Sequence, residues 1–162
     1  MRLVATFVSG LVIWLVTATQ VPVHLRLPLA AVVLGAVVTQ PFGCTSLELE
    51  PFDPSCPSRH THTGIDLAAR LGAEVFSATA GTVITGYDAG GAGNFVKVVV
   101  DGHVRVLYCH LSAFKVATGD PVTPGQLIGL VGATGLATGP HVHLQVNFDG
   151  EPVDPAWYLA AS

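Results

Sequence analysis

The chain has 162 residues, with seven Lys and Arg against eleven Asp and Glu, for a net charge of -4. Half of its residues are hydrophobic and 11% are charged, which excludes intrinsic disorder. It also lacks the basic face that phosphate-backbone contacts demand, so nucleic acid is not an expected partner. Eighteen glycines and eleven prolines favour many short strands over long helices.

Residues 1–41 carry only two charges, Arg2 and Arg26, and no acidic residue. Residues 3–23 are all uncharged, which matches the ~20 residues needed to cross a bilayer core. A helix apolar on every side is buried or membranous, and the rest of the chain is too small to bury this one. The expectation is an N-terminal hydrophobic helix acting as a signal anchor or transmembrane segment, with the rest of the chain extracytoplasmic. A cleaved secretory signal, with Thr17, Ala18 and Thr19 as its cleavage region, is the main alternative. A two-helix hairpin is the third reading. The second apolar run, residues 27–39, would reach only ~20 Å as a helix, too short to span. The chain divides on this basis into a hydrophobic segment, residues 1–41, and a β domain, residues 42–162.

Segments 73–79, 81–87, 94–100, 103–109, 126–131 and 141–148 are rich in Val, Ile and aromatics and are bounded by Gly, Pro or Asp. They predict strands. Asp101-Gly102 predicts a two-residue hairpin turn, and Gly90-Gly91-Ala92-Gly93 a flexible loop. No segment after residue 41 shows an apolar period of 3.6, so residues 42–162 read as all-β.

Six of the seven histidines lie between His60 and His143. In His62-Thr63-Gly64-Ile65-Asp66, an extended strand would hold the outer pair ~13 Å apart; Gly64 permits a bend that joins them. In His141-Val142-His143 the strand period points both imidazoles to one face, ~6.6 Å apart along the strand. Tyr108-Cys109-His110-Leu111-Ser112 closes a third apolar strand. Two His and one Asp on a β scaffold suit a catalytic zinc ion, which takes three protein ligands and keeps a fourth position for water. Further histidines beside such a site serve proton transfer and oxyanion stabilisation.

From Phe42 to Leu159 the chain resembles the LytM/lysostaphin-type zinc metallopeptidases, peptidase family M23. The stretches that carry this are Pro41-Phe42-Gly43, His62 to Leu67, Ala80-Gly81-Thr82-Val83, Tyr108 to Ser112, Gly125 to Gly129, Val131 to Gly135, Thr138 to Leu144 and Val153-Asp154-Pro155. The resemblance implies a two-sheet antiparallel β fold of the duplicated hybrid motif type with a groove across it. It implies one Zn2+ held by His62, Asp66 and His143, with His110 and His141 as catalytic histidines. Under it, His141 is the favoured general base, and His110 orients water or stabilises the tetrahedral intermediate. The implied substrate is a peptide bond in peptidoglycan stem peptides or cross-bridges. A catalytically inactive relative that binds cell wall or regulates another hydrolase is the alternative, disfavoured because all five site positions are filled. A phosphocarrier would use two facing histidines without needing Asp66, and a lipoyl-like module is disfavoured because neither Lys97 nor Lys115 lies in a fitting turn.

The proline-rich stretch 44–59 precedes the metal motif as an insertion able to wall the groove. Cys44 and Cys56 bracket it and are expected to form a disulfide in an oxidising compartment, with two free thiols as the alternative; Cys109 reads as a buried thiol. His60 and Asn94 are possible groove residues. For His60 the competing reading is a surface loop, and for Asn94 a turn.

Overall fold

The computed structural model describes residues 26–160. A four-residue helix α1 (Leu29–Val32) leads into strand β1 (Val37–Gln40). Next come β2 (Gly43–Thr45), β3 (His60–His62), β4 (Ile65–Ala68), β5 (Glu74–Phe76), β6 (Gly81–Asp88) and β7 (Gly93–Val99). The chain continues as β8 (Val104–Leu111), β9 (Ala113–Phe114), β10 (Pro121–Val122), β11 (Leu127–Leu130), β12 (His141–Phe148), β13 (Glu151–Val153) and a C-terminal helix α2 (Pro155–Ala160).

The main sheet runs β1-β4-β12-β8-β7-β6-β10, with β13 paired to β12, and its pairings are antiparallel. A second sheet runs β5-β11-β9, and β2 pairs with β3. Alternation decides the layers. In β12, Val142, Leu144 and Val146 are fully buried while His141, His143 and Gln145 take the other face. In β4, Ile65 and Leu67 go inward and Asp66 outward. The buried face of the large sheet meets Val75 and Ile128 of the small one in a single core. Tyr108 lies wholly within it; its oxygen accepts a hydrogen bond from Ala78 N–H (2.7 Å), and burial pushes its phenol up to about 12.

The folded body extends further toward the N-terminus than the division at residues 41 and 42. β1 pairs with β4, Val37 opposite Ala68 and Val38 opposite Leu67. Val32 and Val33 are core residues. The Leu27 N–H donates to the Ala78 carbonyl (2.7 Å), and Arg26 Nη1 donates to the Tyr158 carbonyl (2.8 Å) with its guanidinium 4.0 Å over the Tyr158 ring. The physical reason is that the apolar run 27–39, too short for a bilayer, is broken at Gly35 (φ 74°) into a helix, whose Val32 together with Val33 enters the core, and an edge strand that joins the sheet by backbone pairing while Val37 and Val38 stay exposed. The membrane reading of residues 3–23 lies outside the described residues. Among the described residues no helix is long and apolar enough to cross a membrane.

Other boundaries moved for local reasons. The turn after β7 is longer than a two-residue hairpin: the Asp101 carboxylate accepts from the N–H groups of His103 (2.7 Å) and Val104 (2.8 Å), so Val100 and His103 leave the strands. Helix α2 has six residues, too few to show a helical period, and Asp154 caps it by accepting from Ala156 N–H (2.8 Å).

Candidate active site

Strands β4 and β12 set His143 directly opposite Asp66. His62, at the end of β3, is folded onto the pair by the turn through Gly64. The glycine is required by contact rather than by its backbone angles. A Cβ there would meet the Leu144 carbonyl oxygen and lie 2.8 Å from both Cε1 and Nε2 of His143. The three donors converge. His62 Nε2 lies 2.9 Å from His143 Nδ1 and 3.1 Å from Asp66 Oδ1, and His143 Nδ1 lies 3.1 Å from Asp66 Oδ1.

The second nitrogen of each ring shows what belongs between them. His62 Nδ1–H donates to the Pro41 carbonyl (2.9 Å), and His143 Nε2–H donates to Gln145 Oε1 (3.3 Å). In the neutral rings this turns two imidazole lone pairs and a carboxylate oxygen toward one point, and lone pairs repel unless a cation sits among them. Metal–ligand bonds of ~2.0–2.1 Å at tetrahedral angles require donors roughly 3.3 Å apart, close to the observed triangle. These residues therefore fit a metal ion, held through His62 Nε2, Asp66 Oδ1 and His143 Nδ1. The electrostatics agree. Burial opposes charge on Asp66, yet the adjoining His143 and His62 imidazoles, which donate to it whenever they take up a second proton, hold its carboxyl well below the usual carboxylate range. His62 is likewise raised, because Asp66 outweighs its burial. The cluster attracts positive charge.

Two more imidazoles flank the triad. His141 stands two residues before His143 on the same face, its Nε2 3.7 Å from Asp66 Oδ1, and its Nδ1–H donates to the Gly139 carbonyl (2.8 Å). His110 reaches this face by a bulge. The β7–β8 register slips between Asn94 and Val96, so two residues of β8, Cys109 and His110, oppose Phe95. His110 takes a left-handed backbone (φ 63°), and its N–H goes to the Ala92 carbonyl instead of along the ladder (2.7 Å). Strict alternation from Tyr108 would have sent its ring into the core; the bulge brings it 4.7 Å from the His141 ring, centre to centre. Its Nδ1–H donates to the Thr134 carbonyl (2.9 Å). Burial, and then the neighbouring histidines, hold His110 below the ordinary imidazole range despite that bond. Both flanking rings thus keep Nε2 as a proton acceptor.

These groups lie on an open groove of about 420 Å³. Leu47, Glu50 and Pro51 of the 44–59 loop line one part of it, and the Cys44–Cys56 disulfide closes that loop. The loops around Gly91 and Leu136, joined by Leu136 N–H to the Gly91 carbonyl (2.9 Å), line another. His60 and Asn94 are not among the lining residues. His60 belongs to β3, and its Nδ1–H donates to the Glu50 carbonyl (2.7 Å). Asn94 donates through Nδ2 to the Leu111 carbonyl (3.0 Å) and through its N–H to Thr134 Oγ1 (2.9 Å), bracing the loop that holds His110. Sequence reasoning missed Gln145, which orients His143, and the carbonyls of Pro41, Thr134 and Gly139. Gln145 continues the period-two face of His141 and His143, a signal that was available; the carbonyls have none.

An antiparallel β scaffold presenting a three-donor cation site and two acceptor imidazoles on one groove is the layout of a metallopeptidase. The chain matches the model of peptidase family M23 over residues 60–155, and it belongs to that family. It is 44% identical over 102 residues to the DD-carboxypeptidase/endopeptidase Mpg of Neisseria meningitidis, covering 61% of this chain and 24% of Mpg. It is 40% identical over 93 residues to the peptidoglycan DD-endopeptidase ShyB of Vibrio cholerae, covering 57% of this chain and 22% of ShyB. The chain thus spans about a quarter of the length of these curated relatives. Among solved structures, a zinc-containing peptidase from Vibrio cholerae aligns with a TM-score of 0.63 at 32% identity, over 74% of this chain and 36% of that one. The catalytic domain of lysostaphin from Staphylococcus simulans aligns at 0.64 and 28% identity, over 77% and 92%.

Proposed function

We propose that this chain is a zinc-dependent endopeptidase that hydrolyses peptide bonds in peptidoglycan stem peptides or cross-bridges. The observation that carries the reading is the convergence of three lone pairs, from His62, Asp66 and His143, beside two acceptor imidazoles on an open groove. Zinc suits two nitrogens and one carboxylate oxygen, and when bound it lowers the pKa of its water and polarises a carbonyl. The named activities of Mpg and ShyB support peptidoglycan as the substrate.

The chain's own residues do the rest. The buried His62 and the Gln145-tethered His143 keep the donor triangle rigid. His141 Nε2, its ring fixed through Gly139, takes the proton of the attacking water and returns it to the leaving amine. His110 is neutral near pH 7 because it is buried among other imidazoles, and through Nε2 it orients that water. The disulfide supports residence in an oxidising, extracytoplasmic compartment. The uncharged residues 3–23 support delivery by a membrane anchor or a cleaved signal.

The test is His141→Ala, assayed on purified cell walls alongside metal analysis. The expected variant keeps its metal and loses hydrolysis. Near-native hydrolysis would remove the role assigned to His141.

A further inference from the structure

The groove lining contains no Lys or Arg, and its carboxylates are Asp66 and Glu50. Asp66 is committed to the donor triangle. Glu50 has Gln40 Nε2 as its hydrogen-bond donor among the described residues, at 3.4 Å, and no cation pairs with it there. Gln40 stands opposite Asp66 in the strand register, so Glu50 sits one side chain away from the reacting centre. Its backbone is held firmly. Its carbonyl accepts from His60 Nδ1–H (2.7 Å), Thr61 N–H donates to the Pro51 carbonyl (3.0 Å), and the Cys44–Cys56 disulfide closes the loop on which it rides. A half-buried carboxylate without a cationic partner, fixed on the wall of a substrate groove, is a site for a ligand's positive charge.

We propose that Glu50 determines specificity by pairing with a free ammonium on the substrate, with His60 as its positioning residue. This rests on the endopeptidase reading and narrows it. The favoured substrate is a cross-link whose residues beside the scissile bond carry a free side-chain amine, rather than an uncharged glycine bridge. Charge-assisted pairs of this kind are worth roughly tenfold or more in affinity.

The test compares two synthetic peptides that differ only in whether the side-chain amine is free or acetylated, each cut by the full chain. Because both are assayed on one preparation, their ratio of kcat/KM is independent of the active fraction. The wild-type chain is expected to favour the free amine by about tenfold, mostly through KM, and Glu50→Gln to bring the ratio to about one. Raising salt to about 1 M should shrink the wild-type ratio by screening. A wild-type ratio near one, a ratio unchanged in Glu50→Gln, or indifference to salt overturns the proposal. Fluorescence anisotropy of the same labelled peptides on both proteins reads the preference even where no bond is cut. Absence of cleavage by the wild-type chain therefore counts against the endopeptidase, while the anisotropy ratio decides on Glu50.

Discussion

Gly64 shows how a single hydrogen atom at Cα sustains the centre. A methyl group there collides with the Leu144 carbonyl and the His143 ring, so Gly64→Ala is expected to displace His143 and abolish metal binding while the core survives. Circular dichroism together with metal analysis checks this. His141→Ala leaves the donor triangle and, under the proposed function, removes the general base, so cell-wall hydrolysis should fall by ~10²–10⁴-fold with metal content unchanged. Two histidines predict opposite pH behaviour. His110 is depressed below 6.5, so the unfolded chain takes up its proton first, and stability falls as pH drops from the ordinary imidazole value toward the folded one. His103, paired at the surface with Asp149 (2.5 Å), is raised; its small contribution is present below the ordinary value and lost as pH rises through the folded one. NMR titration should place the two midpoints on opposite sides of 6.5. Cys109 is buried and its thiol is pushed up to about 12 by that burial, so it should resist alkylation at neutral pH until the protein unfolds.

Strands β3, β4, β12 and β8 carry the candidate site residues, and of these β12 is the one that the sequence makes fully legible. Alternation of apolar and polar residues in 141–148 shows which side chains share a face, and the observed β12 has the bounds that its composition predicts, whereas β4 is not among the strands that composition predicts. His110 was legible only by resemblance. Its place on the groove depends on a bulge and a left-handed histidine, and no residue-type preference announces either. β2, β3, β9, β10 and β13 are two or three residues long, set by pairing partners rather than by local propensity. The spacing of Cys44 and Cys56 did anticipate the observed disulfide. Opening it should cost about 2–4 kcal/mol, read as a drop in unfolding midpoint for Cys44→Ser/Cys56→Ser. The same variant should loosen the groove wall held by β2 and β3, and KM should rise more than kcat falls.

Across the whole molecule, composition and pattern located the β domain but misjudged where it starts. Hydropathy cannot separate apolar residues that meet lipid from those that join a folded domain, and residues 27–40 join it through Val32 and Val33 in the core and through the pairing of β1 with β4. Deleting residues 1–40 should therefore destabilise the domain more than deleting residues 1–25, because the longer deletion removes Val32 and Val33 and leaves a void beside α2 and the small sheet. Thermal unfolding of the two truncations distinguishes them. An ion held by His62, Asp66 and His143 would join β3, β4 and β12, so under the proposed function chelation should lower the unfolding temperature and re-addition of zinc restore it. The most direct measurement is the metal content of the purified full chain beside that of Asp66→Ala, each shown to be folded. The account predicts about one zinc ion per wild-type chain and none in the variant. A folded wild-type chain that binds no zinc, or an Asp66→Ala chain that binds it equally well, would contradict it.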